Sequence, residues 1–372
     1  MIMLCIVTPN PDSPAETYVR QHIRKIAAGN TVVLYFQGKG ESIHDLPNFR
    51  IPDEGRAGWP RYLLSITNTI RHAYPGAIRD SLVERFLLEH KVQTILAEFG
   101  PTGCAMLPLS QKLGIRLVVN FHGHDATVMP RRWVIRNAYW HLNKHADAFV
   151  CGSQHFADVL IRLGFERRKI NVIPCGIELD QFTPGNSRDD QLVLAVGRFV
   201  EKKAPHLTIR AFAKILTQCP GARLEMIGDG PLMPLCRAWI EENHLEEKII
   251  LHGAQSHEFV KQKLQKACLF IQHSIVASNG DTESQGISLL EAMACEVPVV
   301  TTRHNGFVET VQDGVTGFLV NEQDVNGMAE RMAQILSNPT LHDRMGKAGH
   351  QRVIERYEAN KIVEQLRALL IS

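Results

Sequence analysis

The chain has 372 residues, 44% of them hydrophobic and 22% charged. That composition excludes a disordered polar segment, a collagen-like fibre and a disulfide-built miniprotein, and the length predicts two or three domains at roughly 100–200 residues each. A net charge of +2, from 41 Lys and Arg against 39 Asp and Glu, argues against nucleic acid as a partner. The balance is uneven: 21 basic residues face 16 acidic ones through Asp180, and 20 face 23 thereafter. An anionic surface or substrate is therefore expected near the first half.

Short apolar, β-rich runs alternate with helical stretches from the start. Met1–Val7 is apolar but lacks a basic lead-in and a cleavage site, so it reads as a first strand and not as a signal peptide. Strands are predicted at Leu4–Val7, Thr31–Phe36, Thr94–Phe99, Arg116–Phe121, Ala148–Cys151 and Asn171–Pro174. Helices are predicted at Thr17–Ala28, Arg61–Ala73, Ile78–His90, Thr102–Leu113, Trp133–His145 and Gln154–Leu163. Near-continuous apolar strands separated by helices imply a parallel sheet covered on both faces. The polar stretch around Asp180–Asp190, punctuated by Pro184 and Gly185, is the best linker.

A second series follows. Strands are predicted at Leu192–Gly197, Leu224–Gly228, Ile249–His252, Leu269–Gln272, Val297–Thr301 and Gly317–Val320. Helices fall near Pro205–Leu216, Leu232–Asn243, His257–Lys266, Ile287–Cys295 and Val325–Leu336, and the chain after Pro339 reads as helix to its end. The fold class is α/β, with two doubly wound, Rossmann-like parallel-sheet domains over 1–178 and 179–356, facing each other across a cleft. The helix at about 357–372 is expected to pack back onto the first domain. Ligands of such sheets bind at the carboxyl ends of the strands.

Eight scattered cysteines with no CxxC pair read as free thiols in a reducing cytosol. No apolar run approaches the ~18–20 residues needed to span a bilayer.

Four segments carry candidate chemistry. Glu283 and Glu291 bracket seven residues, with Gly286 where a loop would enter a helix. Free N–H groups at that helix start suit a diphosphate, and the carboxylates suit sugar and ribose hydroxyls. The alternative is a capped amphipathic helix with two surface glutamates. Arg198 and Lys203 flank a strand-to-helix turn in Gly197–Pro205, where two cations can neutralise a leaving diphosphate or simply form a solvated basic turn. Gly228-Asp229-Gly230-Pro231 follows another strand and allows either a tight turn or close approach to a ligand. Asn120–Asp125 ends a strand with His122, which can hydrogen-bond a sugar hydroxyl or a phosphate. His122-x-His124-Asp125, and the His141 and His145 pair, also have metal-like spacing, but no further ligands stand nearby in sequence. No metal is assigned.

Taken in order, His122-Gly123-His124-Asp125, Ile173–Phe182, Gly197–Pro205 and the segment from Glu283 to Glu291-Ala292-Met293-Ala294 resemble the family 4 retaining glycosyltransferases of the two-domain GT-B fold. Ser278–Glu283, with Ala15–Tyr18, looks like the subgroup that builds bacterial exopolysaccharides and related surface glycans. The resemblance implies that Arg198 and Lys203 bind the donor diphosphate and that Glu283 contacts the transferred sugar. It further implies that backbone N–H groups at Gln285, Gly286 and Ile287 touch sugar and phosphate, that Glu291 holds the ribose, and that His122 lines the reaction centre. Gly228 would approach the donor, and the loop from Gly253 would sit near the base. Two features depart from the family pattern: Gln285-Gly286-Ile287-Ser288 stands where many relatives carry Phe-Gly-Leu-Pro, and Pro9–Pro14 replaces a Gly-rich first loop.

The function so implied is metal-independent transfer of a sugar, with retention, from a nucleotide sugar, expected to be a UDP-sugar. No cofactor is expected. The expected acceptor is a saccharide or lipid-linked saccharide at the inner face of the cell membrane. Basic and aromatic residues interleave at Arg131–Arg136 and Trp140, and again at Arg56, Trp59, Arg61 and Tyr62. That pattern suits peripheral contact with anionic lipid or, equally, an ordinary solvated helix. A nucleotide-sugar epimerase and a non-catalytic nucleotide-sugar-binding protein remain as alternatives. A nicotinamide oxidoreductase is disfavoured because no GxGxxG follows the first strand.

Overall fold

The computed structural model describes residues 2–13, 16–51 and 81–371. The helix expected at Arg61–Ala73, the start of the one expected at Ile78–His90, and Ala15, Arg56, Trp59, Arg61 and Tyr62 lie outside the described residues. The chain forms two compact units, residues 1–174 with 360–372 and residues 175–359, where the sequence suggested divisions after 178 and 356.

The first unit is built on seven parallel strands: β1 (Leu4–Thr8), β2 (Thr31–Tyr35), β3 (Asn48–Arg50), β4 (Thr94–Glu98), β5 (Arg116–Phe121), β6 (Ala148–Cys151) and β7 (Ile170–Val172). Their spatial order is β3-β2-β1-β4-β5-β6-β7. All residues of β1, β2, β4 and β6 are buried. Helices cover such strands on both faces, so their sequences are mostly apolar and do not alternate, with polar residues only at strand ends. Each fully buried Leu, Ile or Val contributes about 1.5–3 kcal/mol. The edge strand β3 escaped the sequence reading because it is three residues long, partly exposed and not an apolar run.

The second unit has six parallel strands: β8 (Leu192–Val196), β9 (Arg223–Ile227), β10 (Ile249–Leu251), β11 (Leu269–Gln272), β12 (Val299–Thr302) and β13 (Gly317–Val320). Their order is β10-β9-β8-β11-β12-β13. In each sheet the order reverses once, between β1 and β4 and between β8 and β11. A ligand crevice opens beyond the carboxyl ends of the strands at such switch points.

The chain after Pro339 is not one helix. It forms Pro339–Arg356 and Ala359–Ile371, because Ile177 pairs with the chain between them. The Ile177 N–H donates to the Tyr357 carbonyl at 2.7 Å, and the Ala359 N–H donates to the Ile177 carbonyl at 3.0 Å. The last helix belongs to the first unit. Arg367 donates to the Ile26 carbonyl at 2.6 Å and to the Lys25 carbonyl at 2.9 Å.

Candidate functional site

In the second unit, three glycine-bearing turns leave neighbouring strands side by side. Gly228 has φ +136°, and a Cβ there would lie 2.0 Å from the Gly197 carbonyl oxygen. Its N–H donates to the Gly253 carbonyl at 2.8 Å. Gly228 thus lets its backbone pack against that of Gly197 where a side chain would push the two apart. A pocket opens at this switch point, lined by Gly197, Arg198, Lys203, Thr208, Met226 and Gln272 among others. Arg198 is exposed at its rim.

The short 3₁₀ turn Glu201–Lys203 that follows β8 clasps the segment leading to Glu283. Glu201 accepts from the Ser278 N–H at 2.7 Å and from its hydroxyl at 2.8 Å. Lys202, itself buried, donates to Asp281 at 3.1 Å and to the Thr282 carbonyl at 3.2 Å. Glu283 lies 2.9 Å from Lys203 and 3.3 Å from Lys202. Burial pushes the Glu283 carboxyl up, but the two ammonium groups win and hold it at about 2. The two motifs read separately in the sequence, Gly197–Pro205 and Ser278–Glu283, are thus one structure.

The helix after Glu283 spans Ile287–Ala294 and is preceded by Gly286 at φ +77°. A Cβ on Gly286 would meet Phe307 at 2.6 Å and Leu289 at 2.8 Å, so this entry requires glycine. The Gln285 side chain faces away from any ligand role. It accepts from the Cys175 N–H at 2.7 Å and donates to the Cys175 carbonyl at 3.0 Å, leaving only backbone groups of Gln285, Gly286 and Ile287 for a ligand. Ser288 donates its hydroxyl to the Gln272 side-chain carbonyl at 2.9 Å. Glu291 is buried, and its carboxylate has no hydrogen-bond partner among the described residues. Burial lifts its pKa to about 7, against the pull of the Lys203 charge.

Sequence reading missed His304 and Glu322. His304 is fully buried, and its Nδ1 lies 2.5 Å from Glu322. Its Nε2 accepts from the Glu283 N–H at 3.1 Å. The acceptor role of Nε2 puts the proton on Nδ1, which donates to Glu322. This neutral tautomer fixes the backbone that carries Glu283. No motif signals the pair, since the two residues are far apart in sequence.

In the first unit, His122 follows β5. Its Nε2 lies 2.6 Å from Glu98, the last residue of β4. Glu98 is fully buried and also accepts from His22 Nδ1 at 2.6 Å and from Asn120 at 3.1 Å. Although burial opposes it, the two histidines hold Glu98 down to about 2. Burial also opposes a charged His122, but the bond to Glu98 and its charge raise the ring's pKa. Rings of Tyr18 and Phe99 flank His122, each with its centroid at 4.6 Å. Nδ1 is therefore the nitrogen left for a ligand. Asp125 is structural: its carboxylate accepts from the N–H groups of His122, Gly123 and Gly100 at 3.0, 2.9 and 2.9 Å. Glu98 and His22 lay hidden in an apolar strand and an ordinary amphipathic helix. Among the described residues, no group of three or more His, Cys, Asp or Glu is arranged to hold a metal ion.

Comparison with known proteins gives two family-level matches, "Glycosyl transferases group 1" over residues 177–352 and "Glycosyltransferase Family 4" over residues 15–181. WcaL of Salmonella typhimurium, named for colanic acid biosynthesis, is 30% identical over 74% of this chain and 69% of its own length. The WcaL protein of Escherichia coli is 31% identical over 65% of this chain, which spans 61% of that relative. Among solved structures, sucrose-phosphate synthase of Thermosynechococcus elongatus superposes with a TM-score of 0.80 at 20% identity, covering 99% of this chain and 98% of that one. HepE of Anabaena, solved with UDP and glucose, gives 0.78 at 18% identity over the whole of both chains.

Proposed function

The chain belongs to the family 4 glycosyltransferases and has the GT-B fold, and from that premise we propose that it transfers a sugar, with retention and without a metal, from a UDP-sugar to a saccharide or lipid-linked saccharide in surface-polysaccharide synthesis at the cytoplasmic membrane face. The observation that carries this reading is the pocket at the β8/β11 switch, where Arg198 and Lys203 stand beside the Glu283 segment.

In this reading the donor diphosphate lies against Arg198, Lys203 and the backbone N–H groups opening the helix at Ile287, with the ribose on Glu291 and the base towards Gly253. The bond from the sugar C1 to the phosphate oxygen breaks, and C1 bonds to the acceptor oxygen on the same face. The acceptor proton passes to the departing phosphate. Cationic groups fixed where negative charge grows stabilise that departure without reorganising, and one such donor is typically worth 10²–10³ in turnover. Within the first unit, Glu98 holds His122 Nε2 and leaves Nδ1 available to hydrogen-bond a sugar hydroxyl.

A thermal-shift comparison of UDP-, GDP- and ADP-sugars tests the donor, since a ligand that binds only the folded chain raises its stability by mass action. The UDP-sugars should raise the melting temperature most. No shift with any nucleotide sugar contradicts the proposal. Proton NMR of the product's anomeric centre tests retention, and undiminished turnover in EDTA tests metal independence.

A further inference from the structure

The helix Trp133–His145 buries Ile135, Ala138, Tyr139 and Leu142 in the first unit's core. Its opposite face carries Trp133, Arg136, Trp140 and Lys144, all exposed. Spacings of three and four residues place these four on one stripe. The exposure is large, 76% for Trp133 and 60% for Trp140. The Lys144 ammonium lies 5.7 Å from the Trp140 ring centroid. Arg131 and Arg132, just before the helix, are exposed as well. From Ala126 to Ala146 the sequence contains no Asp or Glu. Among the described residues, Arg131, Arg132, Arg136 and Lys144 have no ion-pair partner.

Single exposed tryptophans are ordinary, but two on a rigid stripe among unneutralised cations are not. Exposed helix faces usually mix both signs of charge. Here one sign is absent, and the apolar area is supplied by indole rings, which favour the headgroup level of a bilayer. Because the helix's other face is fixed in a core, the stripe acts as a preformed surface. No helix among the described residues is long and apolar enough to cross a membrane.

We propose that Arg131, Arg132, Trp133, Arg136, Trp140 and Lys144 form a docking surface for a bilayer of anionic lipid. This inference rests on the lipid-linked acceptor reading and supplies the means by which the enzyme reaches it. The cations draw the first unit to the leaflet, and the two indoles settle among the headgroups.

The test is co-sedimentation of the full chain with vesicles of phosphatidylcholine alone or mixed with phosphatidylglycerol. Binding should need phosphatidylglycerol and weaken with salt. Replacing Arg131, Arg132 and Arg136 by Gln should lower partitioning about 100-fold, at about fivefold per charge near an anionic leaflet. A Trp133→Ala/Trp140→Ala variant should weaken binding further while keeping the salt dependence. Each variant should retain the wild-type melting temperature and its shift with UDP, which separates this inference from the donor assignment. Absent binding, equal binding to both vesicle types, or wild-type binding by the charge variant overturns it.

Discussion

Glu291 is a buried carboxylate that folding keeps at a cost, and Glu291→Gln measures that cost. Its pKa rises from 4.5 in an exposed chain to about 7 in the fold because burial disfavours the charge. A carboxyl whose folded value is raised destabilises the fold above its unfolded value. The penalty therefore begins near pH 4.5, grows to about 7 and then levels off. At 1.36 kcal/mol per tenfold, the full penalty is about 3 kcal/mol at pH 8.5 and about 1 kcal/mol at pH 5. Glutamine cannot ionise, so Glu291→Gln should stabilise the chain by up to those amounts, which already include the attraction to Lys203. Urea denaturation at the two pH values reads the difference. On the proposed role of Glu291 in holding the ribose, the variant should also bind UDP at least tenfold more weakly, through loss of a charged hydrogen bond. A variant less stable than wild type at pH 8.5, or a gain that does not grow with pH, refutes the reasoning. Stability gained where affinity is lost is the expected mark of a group retained for ligand binding.

Glu98→Gln should lose about 3–5 kcal/mol, because it leaves His22 and His122 without the buried charge that faces them. Wild-type Glu98 contributes its stability above its unfolded value of 4.5 and loses it only as pH falls towards about 2. The acid limb of a kcat/KM–pH profile set by His122 should move to lower pH in this variant, because Glu98 raises that ring. Lys203→Ala should lower turnover by about 10²–10³, and should destabilise the fold in chemical denaturation by leaving Glu283 with Lys202 alone. Gly228→Ala should cost about 2–4 kcal/mol in the same assay, since its Cβ meets the Gly197 carbonyl and its φ is +136°.

The strands and helices that carry the two sheets were legible because parallel strands buried on both faces print continuous apolar runs. Gly317–Val320 and Val325–Leu336 fall where the pattern puts them. Arg198, Lys203, Glu283 and Glu291 were legible as an ordered set at strand ends and a helix entry. The break at Tyr357–Glu358 was not, since it is imposed by pairing with Ile177, far away in sequence. The same holds for Glu98, buried in a strand whose neighbours are apolar, and for the His304–Glu322 pair. Their roles arise only when separate strands bring them within hydrogen-bonding distance. The Gln285 strap to Cys175 is a further case: a polar residue between Glu283 and Glu291 spends its side chain on the fold.

Isothermal titration of UDP and of uridine into wild type and Arg198→Ala tests the diphosphate grip most directly. Arg198 is exposed and makes no ion pair among the described residues, so its removal should leave folding stability within about 0.5 kcal/mol of wild type. Wild type should bind UDP far more tightly than uridine, and Arg198→Ala should lose about tenfold or more with UDP while uridine binding stays unchanged. Equal UDP affinity in the two proteins, or no preference of wild type for UDP over uridine, would contradict the account.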